Sequence, residues 1–168
     1  MKALMMVAVL VSSLAVQAKV VVGKVDVQKV LLTVSQGQSV RDQLKKSFDE
    51  KQKILKDEED KIRKLQEDYQ KKVSVLNDKE KVKREKEIQE KIMAIQAKTK
   101  TFQDEIQGME AKLKQPILER VKQVVDEVSK SADVDFVYEA ATGPILYSKE
   151  EKDLTDEVVK TYNKKFPK

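Results

Sequence analysis

From Val40 to Leu76 the apolar residues return in steps of three, four or seven: Val40, Leu44, Phe48, Leu55, Ile62, Leu65, Tyr69, Val73 and Leu76. That spacing marks one stripe along a helix. A second and stronger stripe follows, made of Ile88, Ile92, Ile95, Phe102, Ile106, Met109 and Leu113. Lys51 and Glu58 stand where the first stripe calls for apolar residues, so the seam is thin, wet in places, and expected to bend. Between the stripes lies S-V-L-N-D-K-E-K, residues 74–81. Asn77 with Glu80 three positions on fits a capping box, and Asn is the best non-glycine residue for ending the preceding helix. A thin seam with a cap in its middle predicts an antiparallel hairpin with its tip near 77–78 and arms of about 35 residues, roughly 55 Å long. The rival is one unbroken helix of about 75 residues, since no glycine or proline occurs from Gln38 to Gln107.

The flanks have a different pattern. Lys19 to Val25 is β-branched and short, which predicts a strand. Asp26 fits an N-cap for a short helix with Val27, Val30, Leu31 and Val34 on one face. Gly37 is expected to close that helix, and Ser39, with Asp42 three residues on, to open the next. Gly108 is a flexible joint or a tolerated glycine. Pro116 either kinks the return helix or starts a new one, and beyond it Ile117, Val121, Val124, Val125 and Val128 form a denser apolar face. D-V-D-F-V-Y-E (133–139) predicts a second strand, A-A-T-G-P (140–144) a turn and I-L-Y-S (145–148) a third strand, together a β-hairpin. Asp153 or Thr155 then caps a last helix carrying Leu154, Val158, Val159 and Tyr162.

These elements predict an α+β fold, predominantly α. A small β-sheet body is expected from residues 19–36 and 116–168, with a helical-hairpin arm over 37–115 projecting from it. So small a sheet has little core and open edges. Oligomerisation through the body resolves both, with Val21, Val25, Phe136, Tyr138, Ile145 and Tyr147 as its candidate residues.

Charge and composition narrow the function. Residues 1–18 read as an export signal: Met1-Lys2 at the front, an apolar run from Ala3 to Val16, and a cleavage site after Ala18. The run is too short to span a bilayer comfortably, which takes about 20 residues. An uncleaved membrane anchor is the alternative. The chain has no cysteine and no histidine, which removes thiolate nucleophiles, the usual zinc ligands and the best proton-transfer side chain at neutral pH. Its carboxylates are scattered among Lys and Arg at helical spacing, so no enzyme, cofactor or metal is expected.

The 34 basic side chains outnumber 29 acidic ones. Outside the cytoplasm the acidic partners open to such a chain are anionic lipid, lipopolysaccharide or acidic stretches of other proteins. Nucleic acid fits neither the export signal nor the near-balance of acids. The excess is local: Lys71, Lys72, Lys79, Lys81, Lys83, Arg84, Lys86 and Lys91 surround the tip with only five acidic residues among them, whereas residues 41–60 are balanced. They form either a basic rim for capturing acidic partners or a solvated helix face. Val75, Leu76, Val82 and Met93 are the apolar residues available for contact there, although packing within the hairpin is the commoner role for such side chains.

The order of elements resembles the Skp/OmpH family of periplasmic chaperones. The resemblance is carried by G-K-V-D-V-Q-K-V-L (23–31), by A-D-V-D-F-V-Y-E-A (132–140), and through Tyr147 by K-D-L-T-D-E-V-V (152–159). It implies a periplasmic homotrimer whose strands share a central body. Three hairpins would enclose an open cavity that holds unfolded outer-membrane proteins without ATP, with Asn77 and Asp78 at each tip. The family's basic cluster for lipopolysaccharide does not map onto this chain residue by residue. The alternative class is a structural spacer or tether of the envelope, which shares the hairpin and export signal but has no affinity for unfolded chains.

Overall fold

The computed structural model describes residues 20–143 and 145–167. The export signal, its cleavage after Ala18, and Pro144 of the expected turn lie outside the described residues. The elements run β1 (Val22–Val25), α1 (Val27–Thr33), α2 (Ser35–Lys72), α3 (Asp78–Ser131), β2 (Phe136–Glu139), β3 (Glu151–Asp153) and α4 (Thr155–Lys165).

Two long helices form the hairpin, not one continuous rod. Asn77 accepts from the Glu80 amide at 2.9 Å while the Glu80 carboxylate accepts from the Asn77 amide at 3.3 Å, so both halves of the capping box are present. At its far end α3 stops at Ser131 because Asp133 adopts a left-handed conformation with φ 51°. The amides of Asp133 and Val134 then turn back to the carbonyls of Lys130 and Ser129. That is the glycine-type helix stop, made here by one of the few side chains that tolerate it. The helix runs unbroken through Pro116, which neither starts a new helix nor ends the old one.

Three expected boundaries move. α2 ends at Lys72, short of Val73 and Leu76, and Asn77, expected to end it, is extended with φ −75° and caps only α3. Asp26 caps α1 as expected, accepting from Lys29 at 2.8 Å. The break after α1, however, falls at the extended Val34, and α2 starts at Ser35 with no side-chain cap. Gly37 is therefore inside α2 and not at the end of α1, and Ser39 opens nothing. Gly37 is required there by packing: a Cβ would lie 1.8 Å from the Leu31 carbonyl oxygen. At α4, Leu154 occupies the cap position, and Asp153 accepts from the Thr155 amide at 3.0 Å just outside it.

The sheet differs more. Its order is β2-β1-β3, and both outer strands run parallel to β1. Phe136–Glu139 is a strand as expected, but the predicted β-hairpin does not form. Residues 145–148 are irregular, and the third strand is Glu-Lys-Asp at 151–153. This segment has poor strand propensity and is held by its neighbours instead. Lys24 of β1 pairs with Glu151 at 2.5 Å, Tyr138 of β2 donates to Glu151 at 2.6 Å, and the Leu154 amide donates to the Lys24 carbonyl at 2.9 Å. Parallel strands need long crossovers; the whole of α1, α2 and α3 is the crossover from β1 to β2.

The core lies where the two ends of the chain meet the base of the hairpin. Val25, Val30, Val34, Val124, Val158 and Tyr162 are at most 1% exposed and belong to one buried cluster with Val40, Ile117 and Val121. Gln36 ties this base together, accepting at 2.6 Å from both Arg120 and Tyr162. Arg120 also lies over the Phe166 ring, 5.0 Å from its centroid.

Candidate functional site

The tip is built from the ends of α2 and α3 and the five residues between them. Tyr69 of α2 donates to Glu85 of α3, a bond that pushes the phenol up from its ordinary pKa. Three cations converge on one carboxylate: Asp68 is held below its usual value first by its hydrogen bond to Lys72, with Arg84 and Lys71 adding to the field. The other acidic partners are local and longer, with Lys81–Asp78 at 3.6 Å, Arg84–Glu87 at 3.9 Å and Lys86–Glu90 at 3.8 Å. Lys79, Lys83 and Lys91 are exposed and make no ion pair among the described residues. Surface pairs of this kind are worth at most about 1 kcal/mol each, so the cations at the tip are held loosely.

The apolar candidates at the tip are not packed inside the hairpin. Val75, Val82 and Met93 are 81%, 64% and 59% exposed, and only Leu76 is half-buried. Val75, Val82 and Met93 fall off the two apolar stripes, so the seam has no place for them. Phe48 and Ile54 are also exposed, and sequence reasoning missed both: Phe48 counts as a stripe residue, and Ile54 adjoins one. The seam is thin enough that a position on the stripe does not guarantee cover. Between residues 41 and 116 only Ile62 and Ile95 are buried.

Where Lys51 and Glu58 replace apolar residues, the gap is filled by charge. Lys51 reaches across to Glu105 and sits 4.3 Å over the Phe102 ring, while Glu58 accepts from Lys98. Further down, at the base of the arm, a groove is lined by Leu31, Leu32, Val40, Leu44 and Ile117, with Arg41 at its rim.

The body candidates divide. Val25 is buried in the chain's own core, and Val21 is half-buried. Tyr138 is half-buried with its hydroxyl on Glu151. Phe136 is 45% exposed on outer strand β2. Ile145 and Tyr147 lie outside the sheet, flanking Leu146, which is completely exposed. Val20, Phe136, Ile145, Leu146 and Tyr147 thus leave a set of large apolar side chains uncovered in the body. Among the described residues no His, Cys, Asp and Glu cluster could hold a metal ion, and no helix is long and apolar enough to cross a membrane.

An arm with little core, a charged tip and scattered exposed apolar groups can bind by surface contact along its length. Comparison with known proteins gives this architecture a family. The family described as outer membrane protein (OmpH-like) matches residues 21–162, nearly all of the described chain. The chain belongs to the OmpH-like family. No curated protein matches it. Among solved structures, an OmpH-like protein of Caulobacter crescentus, put forward as an outer membrane chaperone, superposes with a TM-score of 0.75 at 16% identity, covering 89% of this chain and 87% of that one. At that identity the likeness establishes the OmpH-like fold: a small parallel sheet with long paired helices.

Proposed function

We propose that the protein is an ATP-independent holdase of the periplasm. It would keep unfolded outer-membrane β-barrel proteins from aggregating by holding them between helical arms until they insert. The observation that carries this reading is the composition of the arm. Phe48, Ile54, Val75, Val82 and Met93 are exposed among flexible charged side chains, spread along a hairpin too thin to cover them. Such a surface offers many weak apolar contacts with no shaped pocket, which suits a partner without fixed structure. Family membership, and the chaperone role put forward for the Caulobacter relative, support the same reading.

The basic tip, centred on Lys71, Lys72, Lys79, Lys81, Lys83, Arg84, Lys86 and Lys91, speeds capture of acidic clients and extends to anionic lipid or lipopolysaccharide. The uncovered apolar residues of the body, Phe136, Ile145 and Tyr147 with Val20 and Leu146, are the surface through which three copies assemble into a homotrimer. Val21 and Tyr138 support it from the sheet.

The test is aggregation suppression. A urea-unfolded outer-membrane barrel protein is diluted with and without the chain, without nucleotide, while light scattering is followed and the oligomer mass is measured in parallel. Suppression saturating near one client per oligomer supports a cavity-forming holdase. No suppression at excess of a folded, oligomeric chain refutes it and leaves a structural tether of the envelope.

A further inference from the structure

The two charged pairs in the seam are spaced alike and point in opposite senses. Lys51 and Glu58 are one heptad apart on α2, and their partners Glu105 and Lys98 are one heptad apart on α3. The positive member is on α2 in one pair and on α3 in the other. Apolar stripe residues around them repeat at the same interval: Leu55 and Ile62 on α2, and Ile88, Ile95 and Phe102 on α3. For these residues, sliding α2 past α3 by seven exchanges one apolar neighbour for another. Apolar packing with a seven-residue repeat has little power to choose between such registers.

The charges do choose. Sliding one way brings Lys51 opposite Lys98; sliding the other way brings Glu58 opposite Glu105 and Lys51 opposite Lys112. We propose that Lys51, Glu58, Lys98 and Glu105 form a register lock. They hold the hairpin in one axial alignment of α2 on α3 by making both neighbouring alignments place like charges face to face. A slip of one heptad displaces the helices by about 10 Å and would remodel the tip. The lock accounts for two charges on stripes where apolar residues would give a stronger seam, since polar seam residues specify alignment at a cost in stability.

The two directions are not equally blocked. Sliding Lys51 toward Lys98 also brings Glu58 opposite Lys91, which already lines the same groove as Glu58 and Lys98. Among the four seam charges that direction is opposed by the Lys51–Lys98 repulsion alone, while the Tyr69–Glu85 and Gln36–Arg120 bonds resist a slip either way. Lys98→Glu removes the electrostatic barrier and simultaneously sets two carboxylates together in the native alignment. Glu58→Lys breaks the same native pair but leaves that slip with two like-charge contacts. A lock predicts different outcomes for the two substitutions, whereas simple loss of a stabilising ion pair predicts the same outcome.

The absence of native cysteine allows a direct reading. Gln52 and Gln103 line one groove across the seam. Cysteines at these positions report the native alignment, and cysteines at Gln52 and Gln96 report the slipped one. In the unsubstituted chain, mild oxidation joins 52 to 103. With Lys98→Glu, the 52–96 product rises roughly tenfold relative to the 52–103 product, the scale expected when several such pairs change sign. With Glu58→Lys it does not rise, and the swap Glu58→Lys/Lys98→Glu restores the native pattern. Retention of the 52–103 product alone in Lys98→Glu overturns the lock, as does equal slippage in both single variants. Should Lys98→Glu lose its helical circular dichroism, Lys98→Gln is read in the same way, with a smaller rise expected and no rise again overturning the lock.

Discussion

The body and the arm are held together by different physics. In the body, α1, the base of α2 and α3, and α4 bury Val30, Val34, Val124, Val158 and Tyr162 completely, and side-chain bonds tie β2 to β3 and β3 to the start of α4. In the arm, one helix meets one other. Each helix can hide only a single stripe that way, and two residues are buried over the whole projecting length. The body is rigid because its contacts are many and non-local. The arm is long because helix propensity, caps and ion pairs suffice to extend it, and it keeps apolar groups exposed because nothing is left to cover them. Structure that resists opening is thus separated from surface that is free to bind.

The sharpest break of this contrast is in the body. Tyr162→Ala removes a fully buried ring and the hydroxyl bond to Gln36, and is expected to cost about 3–5 kcal/mol in urea denaturation. Ile62→Ala in the arm removes a comparably apolar residue from a seam that can close around the loss. About 2 kcal/mol is expected, with faster hydrogen exchange confined to α2 and α3. Equal costs for the two would show that the arm is as tightly packed as the body.

Two glycines sharpen the comparison. Gly37→Ala drives a Cβ into the Leu31 carbonyl and is expected to destabilise by about 2 kcal/mol or more. Gly108 has nothing within 4 Å of an added Cβ. Gly108→Ala is expected to stabilise the chain by about 0.5–1 kcal/mol, read as a raised denaturation midpoint. At the tip, Asn77→Ala removes the capping box and is expected to cost about 1 kcal/mol, with exchange rising first in the opening turn of α3.

The smallest effect is the response to acid, because the groups concerned are solvent-accessible. Hydrogen bonds hold Glu139 (to Thr142), Glu151 (to Lys24 and Tyr138) and Asp153 (to Thr155) below their ordinary values. A carboxyl whose folded pKa is depressed contributes its full stabilisation above the unfolded value and loses it as pH falls through the folded one. The sheet is therefore expected to loosen below about pH 4.5, the ordinary value of the two glutamates, and not between pH 5 and 8. Amide exchange of β1 and β3 measured across that range checks the sign: protection that rises on acidification would contradict it.

Much of the arm was legible because its determinants are local. The stripes through Leu55, Ile62, Ile95 and Phe102 give the helical period, and Asn77 with Glu80 gives the turn, all within a few residues of one another. The exposure of Val75, Val82 and Met93 was less legible, since periodicity marks which residues favour a seam but not whether the seam has a second layer to cover the rest. The body was legible in content and not in wiring. Ile145-Leu146-Tyr147 has the residues of a strand and Glu151-Lys152-Asp153 does not, yet the strand is the second of these.

By itself the sequence determined where α3 begins at the tip, the charge of that tip, and the residues able to build a core: each depends on interactions between near neighbours or on side-chain chemistry alone. Only the tertiary structure decided that the sheet is parallel, that β1 lies between strands drawn from the far end of the chain, and that Gly37 belongs inside a helix. Those choices depend on Lys24 meeting Glu151, Tyr138 meeting Glu151 and Leu31 meeting Gly37. Strand pairing is fixed by partners more than a hundred residues away, whose approach no local pattern encodes.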